Sequence, residues 1–168
     1  PGACALITAL TMSGLNTRRF CMEGFLPSDK KEKRNILEEL KQESRTIILY
    51  EAPHRLSKTL LELYEALGDR EIALCRELTK KFETVMKTTL KEAIDYYKEN
   101  EPRGEYVLVI CGKDRKEIEK EQQASWESMS IEEHMEIYLS QGKDKKEAMK
   151  LVAKDRGVSK RDIYQALL

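Results

Sequence analysis

Apolar positions along this chain follow two rhythms in turn. The helical spacing of three to four residues governs "ACALITALTM" near the start and the charged stretch 29–43 with Ile36, Leu37 and Leu40. It returns from about 54 to 67, where Gly68 supplies the stop, and again over 89–99. Between these lie short runs of strand character. They are "FCMEGFL" (20–26) ending at Pro27, "TIILY" (46–50), "EIALCR" (71–76), the weakly alternating "FETVMKTT" (82–89) and the β-branched "EYVLVIC" (105–111). Strands interleaved with helices predict an α/β layer. "FETVMKTT" follows its predecessor too closely for a helical crossover, so a mixed β-sheet with flanking helices is expected.

After Gly112 the pattern changes. Acidic residues outnumber basic ones from 114 to 136, and the balance reverses from 143 to 162. Residues 1–113 are therefore read as the α/β domain, 114–129 ("EKEQQASWESMS" at its centre) as a linker, and 130–168 as a small helical domain. Ser130 with Glu133 forms a capping box for "IEEHMEIYLS". Gly142 separates that helix from "KDKKEAMKLVAKDR", and Gly157 and Ser159 end the second and cap "KRDIYQALL". Helix, glycine turn and capped basic helix trace a helix-turn-helix-like outline, equally compatible with a plain three-helix bundle.

Composition narrows the classes. Thirty basic residues balance thirty acidic ones among 168, so no global basic field for nucleic acid exists. No apolar run reaches the roughly 20 residues that span a bilayer, and a cytoplasmic location with no membrane partner is expected. Cys4, Cys21, Cys75 and Cys111 lie far apart among apolar neighbours and are expected as reduced, mostly buried thiols, without a structural metal. The chain opens without Met, which reads as a piece of something longer.

Chemistry concentrates after the strands. "YEAPHR" (50–55) brings Glu51, His54 and Arg55 to the end of an apolar strand, where open α/β sheets gather ligands. A plain alternative has Glu51 paired with Arg55 and His54 capping the next helix. "RELTKKFE" (76–83) offers Arg76, Glu77 and Lys80, cations suited to phosphate oxygens, or else a charged turn. Gly104 admits a close backbone approach or a simple turn. The run "KKEKR" (30–34) is read as a wet helix face, His134 as partly packed and inert, and Trp126 as an anchor for the linker. A Walker loop, G-x-G-x-x-G and a nucleophile elbow are all missing from the sequence.

"PGACALITALTMSGL", "FCMEGFLP", "RTIILYEAPHRL", "CRELTK" and "RGEYVLVI", in this order, resemble the ribosomal RNA small subunit methyltransferase I family. That family lies within the tetrapyrrole (corrin/porphyrin) methylase superfamily, and the "KKEAMKLVAKDRGVSKRDIYQALL" tail is similar too. The resemblance implies an S-adenosyl-L-methionine-dependent enzyme that methylates the ribose 2′-hydroxyl of a cytidine in the decoding centre of 16S rRNA on the small ribosomal subunit. It also implies a homodimer, with the cofactor in a cleft between two α/β domains. The family's glycine-rich loop belongs to an N-terminal domain, so this chain is expected to be the C-terminal part and inactive alone.

By the same resemblance, Pro1, Gly2, Cys4 and Ala5 sit beside the cofactor. Tyr50 and Glu51 touch its methionine end, and Glu77, Leu78, Tyr106 and Val107 line the adenine pocket. Glu51 or His54 accepts the ribose proton, while Arg55, Arg76 and Lys80 hold flanking phosphates. Two rivals stay open: an RNA- or ribosome-binding module without catalysis, and a tetrapyrrole-type small-molecule methyltransferase.

Overall fold

The computed structural model describes residues 2 and 4–168, and Pro1 lies outside the described residues. Two compact units, Pro1–Lys113 and Asp114–Leu168, make up the chain. In the first, α1 (Ala5–Ser13) precedes β1 (Phe20–Gly24), α2 (Lys30–Leu40), β2 (Thr46–Glu51) and α3 (Pro53–Leu67). Then follow β3 (Glu71–Arg76), β4 (Thr84–Thr89), α4 (Leu90–Glu99) and β5 (Tyr106–Ile110). The five strands form one mixed sheet in the order β1-β2-β5-β3-β4. Only β1 and β2 run parallel; β5 is antiparallel to both β2 and β3, and β4 to β3.

Strand alternation divides the core in two. Ile47, Leu49, Ile72, Leu74, Leu108 and Ile110 point to the face covered by α2, α3 and α4, where they meet Leu37, Leu56, Leu60, Leu63 and Leu90. Ile48, Ala73, Cys75, Val107 and Val109 point the other way, to Ala9 and Leu10 of α1. A one-residue slip of β5 would exchange its two faces, so this packing also fixes the register. Each fully buried Leu or Ile contributes roughly 1.5–3 kcal/mol relative to exposure.

This topology positions the site. Because β5 runs against its two neighbours, its first residues lie beside the last residues of β2 and β3. Tyr50 pairs with Val107 and Glu51 with Tyr106 on one side; Cys75 pairs with Val107 and Arg76 with Tyr106 on the other.

The second unit holds α5 (Arg115–Glu127), α6 (Ile131–Ser140), α7 (Lys145–Asp155) and α8 (Lys160–Ala166). The stretch expected as a linker is thus helical. Asp114 caps it through Lys116 N, and Gln123 Nε2 donates to Arg156 O at 3.3 Å. Its surface is polar nearly all round, so apolar periodicity gives no sign of it. The capping boxes of Ser130 with Glu133 and of Ser159 with Asp162 are formed. The core joins Met135, Ala148, Met149, Val152 and Ile163. His134 is fully buried there rather than partly packed, and Trp126 stacks on it at 4.1 Å.

The cysteines depart from expectation. All four are free, but only Cys75 is buried; Cys4 is exposed, and Cys21 and Cys111 are intermediate. Cys4 precedes the first helix and Cys21 lies on the sheet-edge strand β1, where fewer neighbours cover a side chain. Burial pushes the Cys75 thiol up to about 11. No helix among the described residues is long and apolar enough to cross a membrane.

Candidate active site

Where β2 and β3 end around the start of β5, a cavity of about 300 Å³ opens. Leu78, Val107, Ala5 and Cys75 give it an apolar lining, and Phe25 and Tyr50 form an aromatic wall with ring centroids 5.7 Å apart. Glu77, Lys80 and Glu105 supply charge. An apolar concavity of this size with a few placed polar groups suits a nucleoside-sized ligand.

The turn after β2 is built around Glu51. Its side chain is 1% exposed. One carboxylate oxygen accepts from Ala52 N at 2.8 Å, and the other from Thr59 Oγ1 at 2.6 Å. Arg55 Nε lies 3.5 Å from the first oxygen, while Arg55 Nη2 donates to Leu26 O at 2.7 Å. A buried carboxylate is tolerated when several donors meet it. Glu51 therefore braces the β2–α3 turn, and Arg55 ties that turn to the segment after β1. The pairing of Glu51 with Arg55 is present, but His54 does not cap α3. Ala52 is the N-cap with no side-chain bond, Pro53 opens the first turn, and His54 is exposed beside it.

The turn after β3 is strained. Glu77 and Thr79 adopt φ of 51° and 66°, a left-handed conformation that costs side-chain-bearing residues about 1–2 kcal/mol each. A dense set of bonds holds it. Glu77 N donates to Glu105 O at 3.0 Å, Glu105 N to Glu77 Oε1 at 2.9 Å, and Thr79 N to Glu83 Oε2 at 2.6 Å. Lys80 Nζ sits 2.9 Å from Glu105 Oε2 and 3.3 Å from Glu77 Oε1. The Glu105 amide, then Lys80, holds the Glu77 carboxyl below its ordinary range; Glu105, then Glu77, raises the Lys80 ammonium. Gly104 is required here. Its φ is +76°, and a Cβ would meet Glu77 Cγ and Oε1 at 2.6 Å, so the group that approaches this backbone is the Glu77 side chain.

Of the residues assigned to a cofactor by resemblance, Ala5, Tyr50, Glu51, Glu77, Leu78, Tyr106 and Val107 all border this cavity. Gly2 and Cys4 are exposed and do not line it, and Pro1 falls outside the described residues. Lys80 reaches the rim, whereas His54 and Arg55 do not, and Arg76 lines a different cavity. Sequence reasoning missed Phe25, Ala52, Cys75 and Glu105. Each lies within two residues of a strand end that faces the cavity, a signal available once the strand order is known.

A family model of the tetrapyrrole (corrin/porphyrin) methylases matches residues 1–94. The chain belongs to this methylase family. Among its relatives, ribosomal RNA small subunit methyltransferase I of Bacillus subtilis (strain 168) is 49% identical over 166 residues, covering 99% of this chain and 56% of that protein. The protein of the same name from Halalkalibacterium halodurans is 48% identical over 164 residues, 98% of this chain and 56% of its own length. The chain thus spans just over half the length of these curated relatives. The methylase fold is shared with a solved cobalamin biosynthetic enzyme, cobalt precorrin-4 methyltransferase. There the TM-score is 0.51 at 20% identity, over 66% of this chain and 50% of that one.

Proposed function

We propose that this chain forms part of an S-adenosylmethionine-dependent methyltransferase acting on the ribose 2′-hydroxyl of a cytidine in the decoding centre of 16S rRNA. One observation carries the proposal: seven positions assigned to the cofactor by resemblance share a single cavity at the strand ends. The names of the relatives, ribosomal RNA small subunit methyltransferases, support RNA as the substrate.

The cofactor would supply a methyl group on a sulfonium, whose displacement depends mainly on placing the nucleophile in line. Leu78, Val107 and Ala5 would hold its apolar surface, with the Phe25–Tyr50 wall against one side. Glu77 and Lys80 would face its polar groups from the rim. Glu51 already accepts from Ala52 and Thr59 and faces Arg55, so it orients the turn. His54, exposed on the first turn of α3 outside the cavity lining and without a described hydrogen bond, is the less committed of the two residues proposed to take the ribose proton. Arg55 is committed to Leu26 and Glu51, which makes it a positioning residue, while Lys80, exposed at the rim, offers a cation to a flanking phosphate. In the helical unit Lys145, Lys146, Lys150, Lys154, Lys160 and Arg161 are exposed, and they would add salt-dependent contact with RNA.

Transfer of tritium from S-adenosylmethionine to purified small ribosomal subunits, by the polypeptide that carries this chain, tests the proposal. Label on a 16S rRNA ribose is expected. Label on a base, or on an added tetrapyrrole with none on RNA, overturns it.

A further inference from the structure

A second cavity, of about 310 Å³, lies on the other side of Tyr106 and is lined by Arg76, Tyr96, Tyr97 and Arg103. Tyr106 borders both cavities. Arg76 is partly buried, its Nε is fully buried, and that nitrogen has no hydrogen-bond partner. No described carboxylate pairs with its guanidinium. Buried polar groups in folded proteins nearly always find partners, so a guanidinium with no bond at Nε and no described carboxylate paired with it has its outer nitrogens free for an acceptor from outside the chain. Backbone strain does the rest: Glu77, immediately after Arg76, is in the left-handed region, and strain of this kind persists where a site is being shaped.

The surroundings of Arg76 are aromatic. Tyr97 meets Tyr96 edge-on at 5.0 Å and Tyr106 edge-on at 6.1 Å, and the Tyr97 and Tyr106 hydroxyls are 3.3 Å apart. Tyr106 Oη also accepts from Arg103 N at 3.2 Å, which fixes its ring. Tyr96 is 48% exposed and offers a face for stacking. The remaining charges are Glu99, which is exposed, and the exposed Arg103–Glu101 pair at 3.2 Å. An unpaired guanidinium next to an open tyrosine face matches a nucleotide of a single strand, with its phosphate on the cation and its base on the ring.

We infer that the Arg76–Tyr96 cavity is a nucleotide subsite that holds the phosphodiester and base of an RNA residue flanking the one methylated. This rests on the RNA-methyltransferase function proposed above. The outer nitrogens of Arg76 bind the phosphate, and Tyr106, shared between the cavities, sets the distance from this subsite to the cofactor cavity.

Titration of cytidine 5′-monophosphate into the nitrogen-15-labelled chain, followed at the Arg76 Nε–H resonance, tests the site. The expected result is a saturable shift of that resonance. Cytidine and inorganic phosphate should each bind at least tenfold more weakly, and Arg76→Met should lower nucleotide affinity at least tenfold. If Arg76→Met fails to fold, Arg103→Ala, at an exposed position, should still weaken binding about threefold. An unmoved Arg76 resonance, or inorganic phosphate binding as tightly as the nucleotide, overturns the subsite. Normal ribose labelling of 16S rRNA by an Arg76→Met enzyme overturns it too, while leaving the proposed function intact. Nucleotide binding without any RNA labelling does the reverse.

Discussion

Glu51 in the α/β unit and His134 in the helical unit pose the same physical problem in different surroundings. Each is an ionisable side chain almost wholly removed from water. Glu51 meets it with donors from Ala52, Thr59 and Arg55, and it borders a cavity. His134 is closed in on every recorded side: Trp126 and Tyr138 stack against its ring, Asp155 Oδ2 lies 3.2 Å from Nε2, and Arg156 Nε donates to Nδ1 at 3.2 Å. Since Arg156 can only donate, Nδ1 accepts, and the proton of the neutral ring sits on Nε2 facing Asp155. Arg156 in turn donates to Met129 O and Ser130 O, so the network clamps the start of α6 to the end of α7. A buried ionisable group can therefore be a site's brace or a core fastener. The adjoining cavity, not the burial, separates the two.

The largest effect should come from breaking the brace. Glu51→Ala leaves Thr59 without its acceptor and Arg55 without its carboxylate, and should destabilise the α/β unit by about 3 kcal/mol in urea unfolding. Glu51→Gln, which keeps an oxygen acceptor, should lose clearly less. Equal losses for the two variants would remove the distinction drawn for Glu51.

Next is the fastener. Burial first, then Arg156, lowers the His134 pKa from its ordinary value near 6.5. The folded ring thus takes up a proton less readily than the unfolded one. Its contribution to stability is complete above about pH 6.5 and declines as pH falls through that value towards the lower folded pKa. Melting of the helical unit should drop between pH 7.5 and 5. His134→Phe should lose about 2 kcal/mol at pH 7.5 but show a flatter pH profile. An unchanged profile would show that His134 is not the titrating group.

A smaller effect should follow at the strained turn. Gly104→Ala should cost about 1–2 kcal/mol because its φ is left-handed. It should also weaken S-adenosylhomocysteine binding through displacement of Glu77, and full affinity would separate the turn from the cavity. The smallest structural effect belongs to Lys80→Ala. Its exposed ion pairs predict an unchanged melting curve, with a roughly tenfold loss of RNA methylation. A marked fall in melting temperature would make Lys80 a structural residue.

Much of this was legible in the sequence because local and global signals agree. Residues 106–110 and 47–49 are apolar at every position since β5 and β2 are covered on both faces, and Gly68 ends α3 where the pattern stops. Helix α5 was not legible, because a helix held by contacts such as its Asp114 cap, the Gln123–Arg156 bond and the stacked Trp126 has no apolar stripe. The cavity was half legible. Tyr50, Glu77, Leu78, Tyr106 and Val107 are carried by motifs, whereas Phe25 and Glu105 join them only through the strand order. The separation of Arg76 from Lys80 into two cavities was equally out of reach. It follows from strand alternation at the end of β3, which turns Arg76 with Leu74 and Tyr106 away from the face of Cys75 and Val107, and which face holds the cavity is known only from the assembled sheet.

Calorimetric titration of S-adenosylhomocysteine into the chain and into a Val107→Trp variant tests the central claim most directly, since Val107 lines the cavity. Micromolar binding by the chain, weakened at least tenfold by the Trp in a variant that still folds, is the predicted result. The absence of binding by the chain, or equal affinity in both proteins, would contradict the assignment of the cofactor to this cavity.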